Sequence, residues 1–219
     1  MYRIGYIDDE PVQYENFAKK IRRRYPDMEL VLLKDCKTKQ DFVEKIYEEQ
    51  ADVLLIDFKM VKSYGFNGTT LISYLNDQIR DLECFILTAV DTEQVDDGLV
   101  AARDKYSKTV FDTEADDPVK LAQLDAFVGV LRESAEVFRN RRTQKVERYR
   151  ELLEKKKQGK LGVEEEEFLI LYKVLSSYGM VEKLPDNLLA SAFEKKLDNL
   201  LTIGEAIIEK NKNHQENTD

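Results

Sequence analysis

Short apolar segments alternate with amphipathic segments through the first half of the chain. In the amphipathic segments, apolar residues recur at spacings of three and four, the period of a helix with one buried face. Five strands are predicted. Four are short apolar segments at residues 1–7, 28–33, 53–56 and 84–87, and a weaker fifth lies within 106–111. Five strands that alternate with helices predict an open parallel sheet joined by right-handed crossovers.

Polar residues and prolines mark where the predicted helices begin. Thr38 to Asp41 has the pattern of a capping box, and Pro11 and Pro118 suit the first turn of a helix. Asp91 is placed to cap a fourth helix. We expect that helix to bury three apolar residues, Val95, Leu99 and Ala102.

The helix that begins at Pro118 is predicted to be unusually long. Its apolar stripe runs at spacings of three and four as far as Phe138 and then shifts to continue from Val146. After Arg142 no strong helix breaker appears until Gly159 and Gly162, so the pattern predicts a helix of roughly forty residues.

The second half of the chain is predicted to be entirely helical. Two more amphipathic helices follow the long one, around residues 168–175 and 189–207, and the end at 211–219 is polar. These patterns divide the chain into a sheet domain at 1–135 and a helical region at 136–219, with the long helix continuous between them.

The net charge of −9 is concentrated in the predicted sheet domain. Residues 1–135 hold 18 basic and 27 acidic side chains, whereas residues 136–219 hold 16 of each. The segment 139–160 has ten basic and three acidic residues, but Tyr149 is its one aromatic. Because a charged face is ordinary for a long exposed helix, the pattern favours a protein partner for the helical region over nucleic acid.

Composition excludes several classes of protein. Apolar runs fall short of the about 18–20 residues that span a membrane, and the basic-then-apolar pattern of a secretory leader is missing. Cys36 and Cys84 form no disulfide framework, which predicts a cytoplasmic protein. The single histidine, His214, lies in the polar end, which excludes zinc sites with several histidines and Ser-His-Asp triads.

Polar side chains follow three of the predicted strands. Asp8 and Asp9 end the first strand, Asp57 ends the third, and Thr88 ends the fourth. The carboxyl ends of parallel strands meet at one edge of the sheet, so these residues are expected to share a crevice. Three close carboxylates repel one another unless a hard cation lies between them, and an all-oxygen set favours Mg²⁺.

The residues at these strand ends resemble a response-regulator receiver domain of two-component signalling. The stretch from Ile4 to Glu10 is similar to the family's first strand and acidic pair, and Asp57 matches its phosphoacceptor. Asn67-Gly68 resembles the start of the helix that follows the acceptor loop, and Thr88-Ala89 matches the switch hydroxyl and its small neighbour. The similarity covers about residues 1–135.

The resemblance implies a fold, a site and a partner. The fold is a flavodoxin-like, doubly wound, five-stranded parallel sheet, here followed by an all-α extension. The implied metal is Mg²⁺, held by Asp8, Asp9, Asp57 and the backbone carbonyl of Lys59. The implied reaction is transfer of a phosphoryl group from a histidine kinase to Asp57, with the Thr88 hydroxyl responding to it.

The sequence also departs from the family pattern. Val61 stands where the family usually has proline, and the loop before Asn67 is about three residues longer. We favour Lys108 as the match to the lysine that the family has after its fifth strand. If the strand instead ends at Val110-Phe111, Asp112 stands in that position. The aromatic switch position is correspondingly open, with Tyr106 favoured over Phe111.

Three functions follow from these patterns. The first is a non-enzymatic response regulator whose phosphorylated Asp57 controls a helical region that binds a protein partner or a second copy. The second is a degenerate receiver that takes no phosphate and serves as a constitutive protein-binding module. The third, a phosphate-ester hydrolase, is disfavoured because Lys59 stands where such enzymes need a second aspartate.

Overall fold

The computed structural model describes residues 1–95, 98–112, 117–182 and 184. The strands are β1 (Tyr2–Ile7), β2 (Met28–Leu32), β3 (Val53–Asp57), β4 (Cys84–Thr88) and β5 (Lys105–Ser107). The helices are α1 (Tyr14–Arg24), α2 (Lys39–Glu48), α3 (Val61–Tyr64), α4 (Gly68–Gln78), α5 (Pro118–Lys157) and α6 (Glu165–Ser177). Short 3-10 turns lie at Thr92–Gln94, Ala102–Asp104, Lys108–Phe111 and Gly162–Glu164.

The five strands form one all-parallel sheet in the order β2-β1-β3-β4-β5. This is the flavodoxin-like order, in which the direction of winding reverses beside β1. The predicted fold class is therefore confirmed by the strand order. The register pairs Ile7 with Ile56, Asp57 with Leu87 and Thr88 with Ser107, so the polar strand ends lie level at one edge.

Helices cover both faces of the sheet, which explains why the central strands are continuous apolar runs. Every residue of β3 and β4 is buried. On one face, α1 and α5 pack in a common core with alternate strand residues, represented by Phe17, Leu55, Phe85 and Leu131. Right-handed crossovers place α2 and α4 on the other face, where each buries its own apolar side.

The connection from β4 to β5 differs from the prediction. In place of a fourth α-helix, the described residues form the 3-10 turns Thr92–Gln94 and Ala102–Asp104. Val95 is buried as expected, whereas Leu99 is 47% exposed and Ala102 is exposed. Gly98 has φ +69°, a left-handed conformation that interrupts a helix. The prediction of a helix that buries Leu99 and Ala102 was wrong.

The fifth strand is shorter and earlier than predicted. It comprises Lys105–Ser107, and the chain then enters the 3-10 turn Lys108–Phe111. The Ser107 side chain accepts a hydrogen bond from the backbone N–H of Thr109 at 3.2 Å, which caps that turn and ends the strand. As a result Lys108, and not Asp112, follows the strand directly.

The long helix has the predicted start, length and end. The Asp117 carboxylate accepts hydrogen bonds from the backbone N–H groups of Val119 and Lys120, so it caps the first turn. α5 then runs for 40 residues and ends two residues before Gly159, which has φ +68°. Arg139, just past the middle of α5, donates a bidentate pair of hydrogen bonds, at 2.9 and 2.6 Å, to the fully buried Asp52 carboxylate.

The chain divides into two compact units, residues 1–144 and 145–219. The second has its own core, in which the Tyr149 and Phe168 rings stack at 5.6 Å with Leu152 and Leu175 beside them.

Several basic residues of the segment 139–160 are paired with acids inside their own units: Arg139 with Asp52, Arg141 with Asp81, Arg148 with Glu164 and Glu167, and Lys155 with Glu164.

Some predictions fall outside the described residues. The predicted helix at 189–207 and His214 lie there. The functional division into residues 1–135 and 136–219 stays a prediction. Among the described residues, no helix is both long enough and apolar enough to cross a membrane.

Candidate functional site

A crevice of about 440 Å³ opens at the carboxyl edge of the sheet. The loops after β1, β3 and β4 and the turn after β5 bring their polar side chains to it. It is lined by Asp8, Asp9, Glu10, Asp57, Lys59, Val61, Lys62, Asn67, Thr88, Ala89, Val90 and Lys108. All the residues that the sequence placed at this site therefore line one cavity.

Three carboxylates face one another in the crevice. One oxygen from each of Asp8, Asp9 and Asp57 lies within 4.8 Å of the other two. Asp8 and Asp57 are buried, and Asp9 is half-buried. The order of the strands explains this closeness, because β1 and β3 are hydrogen-bonded neighbours.

Hydrogen bonds orient the two buried carboxylates. The Tyr6 hydroxyl donates to Asp8 Oδ2 at 2.6 Å, and the backbone N–H of Glu10 donates to Asp8 Oδ1 at 2.9 Å. Asp57 Oδ2 accepts from the backbone N–H of Lys59 at 2.8 Å. Burial, followed by the hydrogen bond to Asp8, raises the pKa of Tyr6, so this phenol remains a donor at neutral pH.

The Lys108 ammonium bridges the buried carboxylates. Its Nζ lies 2.6 Å from Asp8 Oδ2 and 2.8 Å from Asp57 Oδ1, and 19% of the side chain is exposed. Asp112 is exposed at the end of the 3-10 turn and does not line the crevice. Of the two registers that the sequence allowed, the structure has the one that places Lys108 in the site.

Burial and charge set the protonation of this group. Burial lowers the pKa of Lys108, but the bonds to Asp57 and Asp8 outweigh it, and its pKa lies above the usual value. Burial raises the pKa of Asp57; Lys108 opposes that rise and the Asp8 carboxylate adds to it. Lys108 is therefore a cation, placed between two of the three carboxyl groups of the crevice.

The donor set suits a hard divalent cation. Three carboxylates converge with oxygen ligands alone, which is the chemistry that Mg²⁺ prefers. A cation between them would also relieve the repulsion from Asp8 that adds to the effect of burial on the pKa of Asp57. Lys59, whose backbone carbonyl the resemblance gave as a fourth ligand, lines the same crevice.

Thr88 presents a hydroxyl to the crevice from the end of β4. Its side chain is buried, and Oγ1 accepts a hydrogen bond from the backbone N–H of Val90 at 3.2 Å. That bond uses an oxygen lone pair and leaves the hydroxyl proton available for donation. Thr88 can thus donate to an anion that forms beside Asp57.

The start of α4 approaches the back of Asp57 closely. The backbone N–H of Gly68 donates to the Phe58 carbonyl at 2.9 Å. A Cβ at position 68 would lie 2.1 Å from the Asp57 carbonyl oxygen, closer than any side chain permits. Only glycine fits here, which explains why this residue stands in the Asn67-Gly68 motif.

One contact was missed by the sequence reasoning. The longer loop after β3 folds into the short helix α3, and its Ser63 hydroxyl donates to Asp9 Oδ2 at 3.0 Å. The added length of the loop was the signal for this contact, because extra residues next to the crevice are placed to touch the side chains that line it. The contact occupies one oxygen of the outermost carboxylate.

The aromatic residues near the turn after β5 occupy different environments. Tyr106 is half-buried, with its ring 5.9 Å from Phe85 and 4.4 Å from Phe127. Phe111 is fully buried and stacks on Phe17 at 4.3 Å. Of these two rings, only that of Tyr106 is partly exposed, so its exposure can change when the site changes conformation.

Comparison with known proteins gave no match to a family model or to a curated protein. Among solved structures, the response regulator protein TrrA from Thermotoga maritima in complex with Mg²⁺-BeF is 18% identical; the match covers 57% of this chain and 98% of that chain, with TM-score 0.41. A CheY-like receiver domain protein from Methanospirillum hungatei is 21% identical over 62% of this chain and 98% of that chain, with TM-score 0.42. The RcsB response regulator of Salmonella typhimurium is 14% identical over 86% of this chain and 96% of that chain, with TM-score 0.44.

These structures are similar to the chain at low identity and low TM-score. The fold assignment depends on the strand order and connectivity of the chain itself.

Proposed function

We propose that this chain is a response regulator-like signalling protein that is phosphorylated on Asp57 in the presence of Mg²⁺. One observation supports this above the others: the Lys108 ammonium lies within 2.8 Å of Asp57 in a buried crevice that also holds Asp8, Asp9 and Thr88. A carboxylate flanked by a cation, a hydroxyl and an oxygen-rich metal site suits acceptance of a phosphoryl group.

The chemistry assigns a role to each side chain. An Asp57 carboxylate oxygen attacks the phosphorus of a phosphohistidine on the kinase; the new O–P bond forms as the N–P bond breaks, and the departing imidazole nitrogen takes up a proton. Bound Mg²⁺, held by Asp8, Asp9, Asp57 and the Lys59 carbonyl, would supply neutralisation of the phosphoryl charge. Lys108 pairs with a phosphoryl oxygen, and Thr88 donates its hydroxyl proton to another.

The output proposed is protein–protein interaction and not catalysis. Phosphorylation draws Lys108 and Thr88 toward the phosphoryl group, which shifts the turn after β5 and the edge of the sheet beside α5. Because α5 continues into the helical region, a protein partner or a second copy bound there would sense the change. We place this activity in the cytoplasm, with a histidine kinase as the upstream partner and no role for nucleic acid.

A second candidate is a receiver that never accepts phosphate. The observation that favours it is the Ser63 hydroxyl on Asp9, since this bond engages an oxygen that a metal would use. In that case the fold would act as a constitutive protein-binding module.

The two candidates are separated by intact-mass spectrometry after incubation with acetyl phosphate and Mg²⁺. We expect one added phosphoryl group on the wild-type chain, none on Asp57→Asn, and normal uptake by Asp77→Asn, whose exposed side chain lies on α4. Uptake that is undiminished in Asp57→Asn would contradict the acceptor assignment. No uptake by wild type from either acetyl phosphate or a phosphorylated kinase would favour the second candidate.

A further inference from the structure

A second and larger cavity lies away from the crevice, beside the β4–β5 connection, whose described residues form 3-10 turns in place of an α-helix. It is a groove of about 830 Å³ between α4 and α5. The first residues of β4 form its floor, and residues 99–104 form one wall. A sheet of this kind is normally covered on both faces by its crossover helices, and here residues 89–95 and 98–104 contain only the two 3-10 turns.

The groove has the shape of a helix-binding site. The α5 residues that line it are Val130, Glu133, Ser134, Val137 and Arg141, which repeat at helical spacing along one side of α5. At 1.5 Å per residue this stripe is about 16 Å long, the length of about three helical turns. From α4, Ile72 and Asn76 complete the opposite wall at the same spacing.

The apolar positions of the groove are partly open to solvent. Leu99 is 47% exposed, Val130 37% and Val137 36%. Leu82 and Phe85 lie beneath them and are buried. An occupant with an apolar face would bury the three exposed side chains, which favours association.

The charged lining of the groove is acidic in balance. Among its described residues there are four carboxylates, on Asp81, Glu83, Asp104 and Glu133, against the guanidinium groups of Arg103 and Arg141. Arg141 already pairs with Asp81 at 2.9 Å, and Arg103 approaches its neighbour Asp104 at 3.6 Å.

Two acids of the groove, Asp104 and Glu83, repel one another. Burial raises the pKa of Asp104; the neighbouring Arg103 opposes the rise, and the charge of Glu83 adds to it. A cationic side chain placed between these two carboxylates would relieve that repulsion.

We infer that this groove binds a basic amphipathic helix of a partner protein, with its apolar side on Val130 and Val137 and a lysine or arginine toward Glu83 and Glu133. The helix-in-groove mode needs apolar anchors at helical spacing and a complementary charge, and the groove provides both. The inference concerns residues outside the phosphorylation crevice and does not depend on it.

The test is fluorescence anisotropy with a labelled synthetic peptide of about 14 residues, made of leucine, alanine and lysine with leucines on one helical face. A matched peptide carries glutamate in place of every lysine. The buffer holds about 0.15 M salt, so that exposed charges are screened beyond about 8 Å. We expect the basic peptide to bind the full chain and the acidic one not to.

Matched variants distinguish binding of the peptide in the groove from attraction to the overall negative charge of the chain. We expect Glu133→Lys to weaken binding of the basic peptide about tenfold, whereas Glu136→Lys, which makes the same charge change on the exposed side of α5, leaves it unchanged. Val130→Ser should likewise weaken binding, and Val119→Ser, 66% exposed in the first turn of α5, should not.

Exchanging the charge on both partners shows whether a variant that loses binding is still folded. Glu133→Lys should gain affinity for the acidic peptide, which an unfolded chain would not do. Equal loss in Glu133→Lys and Glu136→Lys, or no preference for the basic peptide, would overturn the inference. A dimer in sedimentation that Glu133→Lys dissociates and Glu136→Lys leaves intact would also overturn it, because a second copy would then be the occupant.

Discussion

Replacing Lys108 with methionine removes the cation that two buried carboxylates share. Methionine keeps most of the length of the side chain, so the main change is the loss of charge at 2.6 Å from Asp8 and 2.8 Å from Asp57. Removing one partner of a buried ion pair usually costs about 3–5 kcal/mol. Because 19% of the Lys108 side chain is exposed, we expect the lower end of that range, about 3 kcal/mol.

This loss is large enough to measure by thermal unfolding in EDTA. For a chain of this size, each kcal/mol shifts the Tm by about 2–4 °C, so Lys108→Met should melt about 6–12 °C below wild type. Lys62→Met is the control, because Lys62 is exposed and lines the same crevice. Its Tm should stay within about 2 °C of wild type.

Adding Mg²⁺ should compensate for the missing ammonium. A cation at about 100 times its Kd stabilises the state that binds it by about 2.7 kcal/mol. In Lys108→Met the metal meets carboxylates with no competing ammonium, so it should bind more tightly and raise the Tm by more than in wild type. A variant as stable as wild type in EDTA, or one that gains less from Mg²⁺, would refute the account of the site.

Three further predictions concern the same unit. Because burial raises the pKa of Asp57, the folded state keeps the carboxyl proton to higher pH than the unfolded state, and ionisation of Asp57 costs stability as pH rises through the folded pKa. Asp57→Asn should therefore raise the stability to urea in EDTA at about pH 7.5, with a smaller gain at about pH 4.5. A gain in stability that grows on acidification would contradict this. Gly68→Ala should cost about 1–3 kcal/mol and weaken Mg²⁺ binding measured by calorimetry, whereas Gly129→Ala, with open space around its Cβ, should be neutral or stabilising. Arg139→Leu leaves the buried Asp52 without its bidentate partner; because 33% of the Arg139 side chain is exposed, chemical unfolding should show a loss at the lower end of the range, about 3 kcal/mol, that Asp52→Asn in the same chain partly restores.

Much of the fold could be predicted from local patterns, because those patterns express burial. The apolar run at 53–56 is continuous because both faces of β3 are covered, and its position identified Asp57 at the strand end. Thr38 and Asp41 form the predicted capping box, with both reciprocal hydrogen bonds present. The length of α5 followed from an apolar stripe and from the lack of a strong breaker between Arg142 and Gly159.

The rest depended on contacts between distant residues or on single backbone angles. The spacing of Val95, Leu99 and Ala102 matches a helix, but one left-handed glycine between them is enough to prevent it. The hydrogen bond from Ser63 to Asp9 joins residues 54 apart in sequence, and periodicity carries no information about such a pair. Lys108 was ambiguous because the strand before it has only three residues.

The most direct test of the account is to locate the phosphoryl group. Borohydride reduces an aspartyl phosphate to homoserine, which tandem mass spectrometry assigns to a single position. After incubation with acetyl phosphate and Mg²⁺, we predict homoserine at position 57 and at no other aspartate, and none when Mg²⁺ is replaced by EDTA. Homoserine at another aspartate of the crevice, or at Asp57 to the same extent in EDTA, would contradict the proposed site.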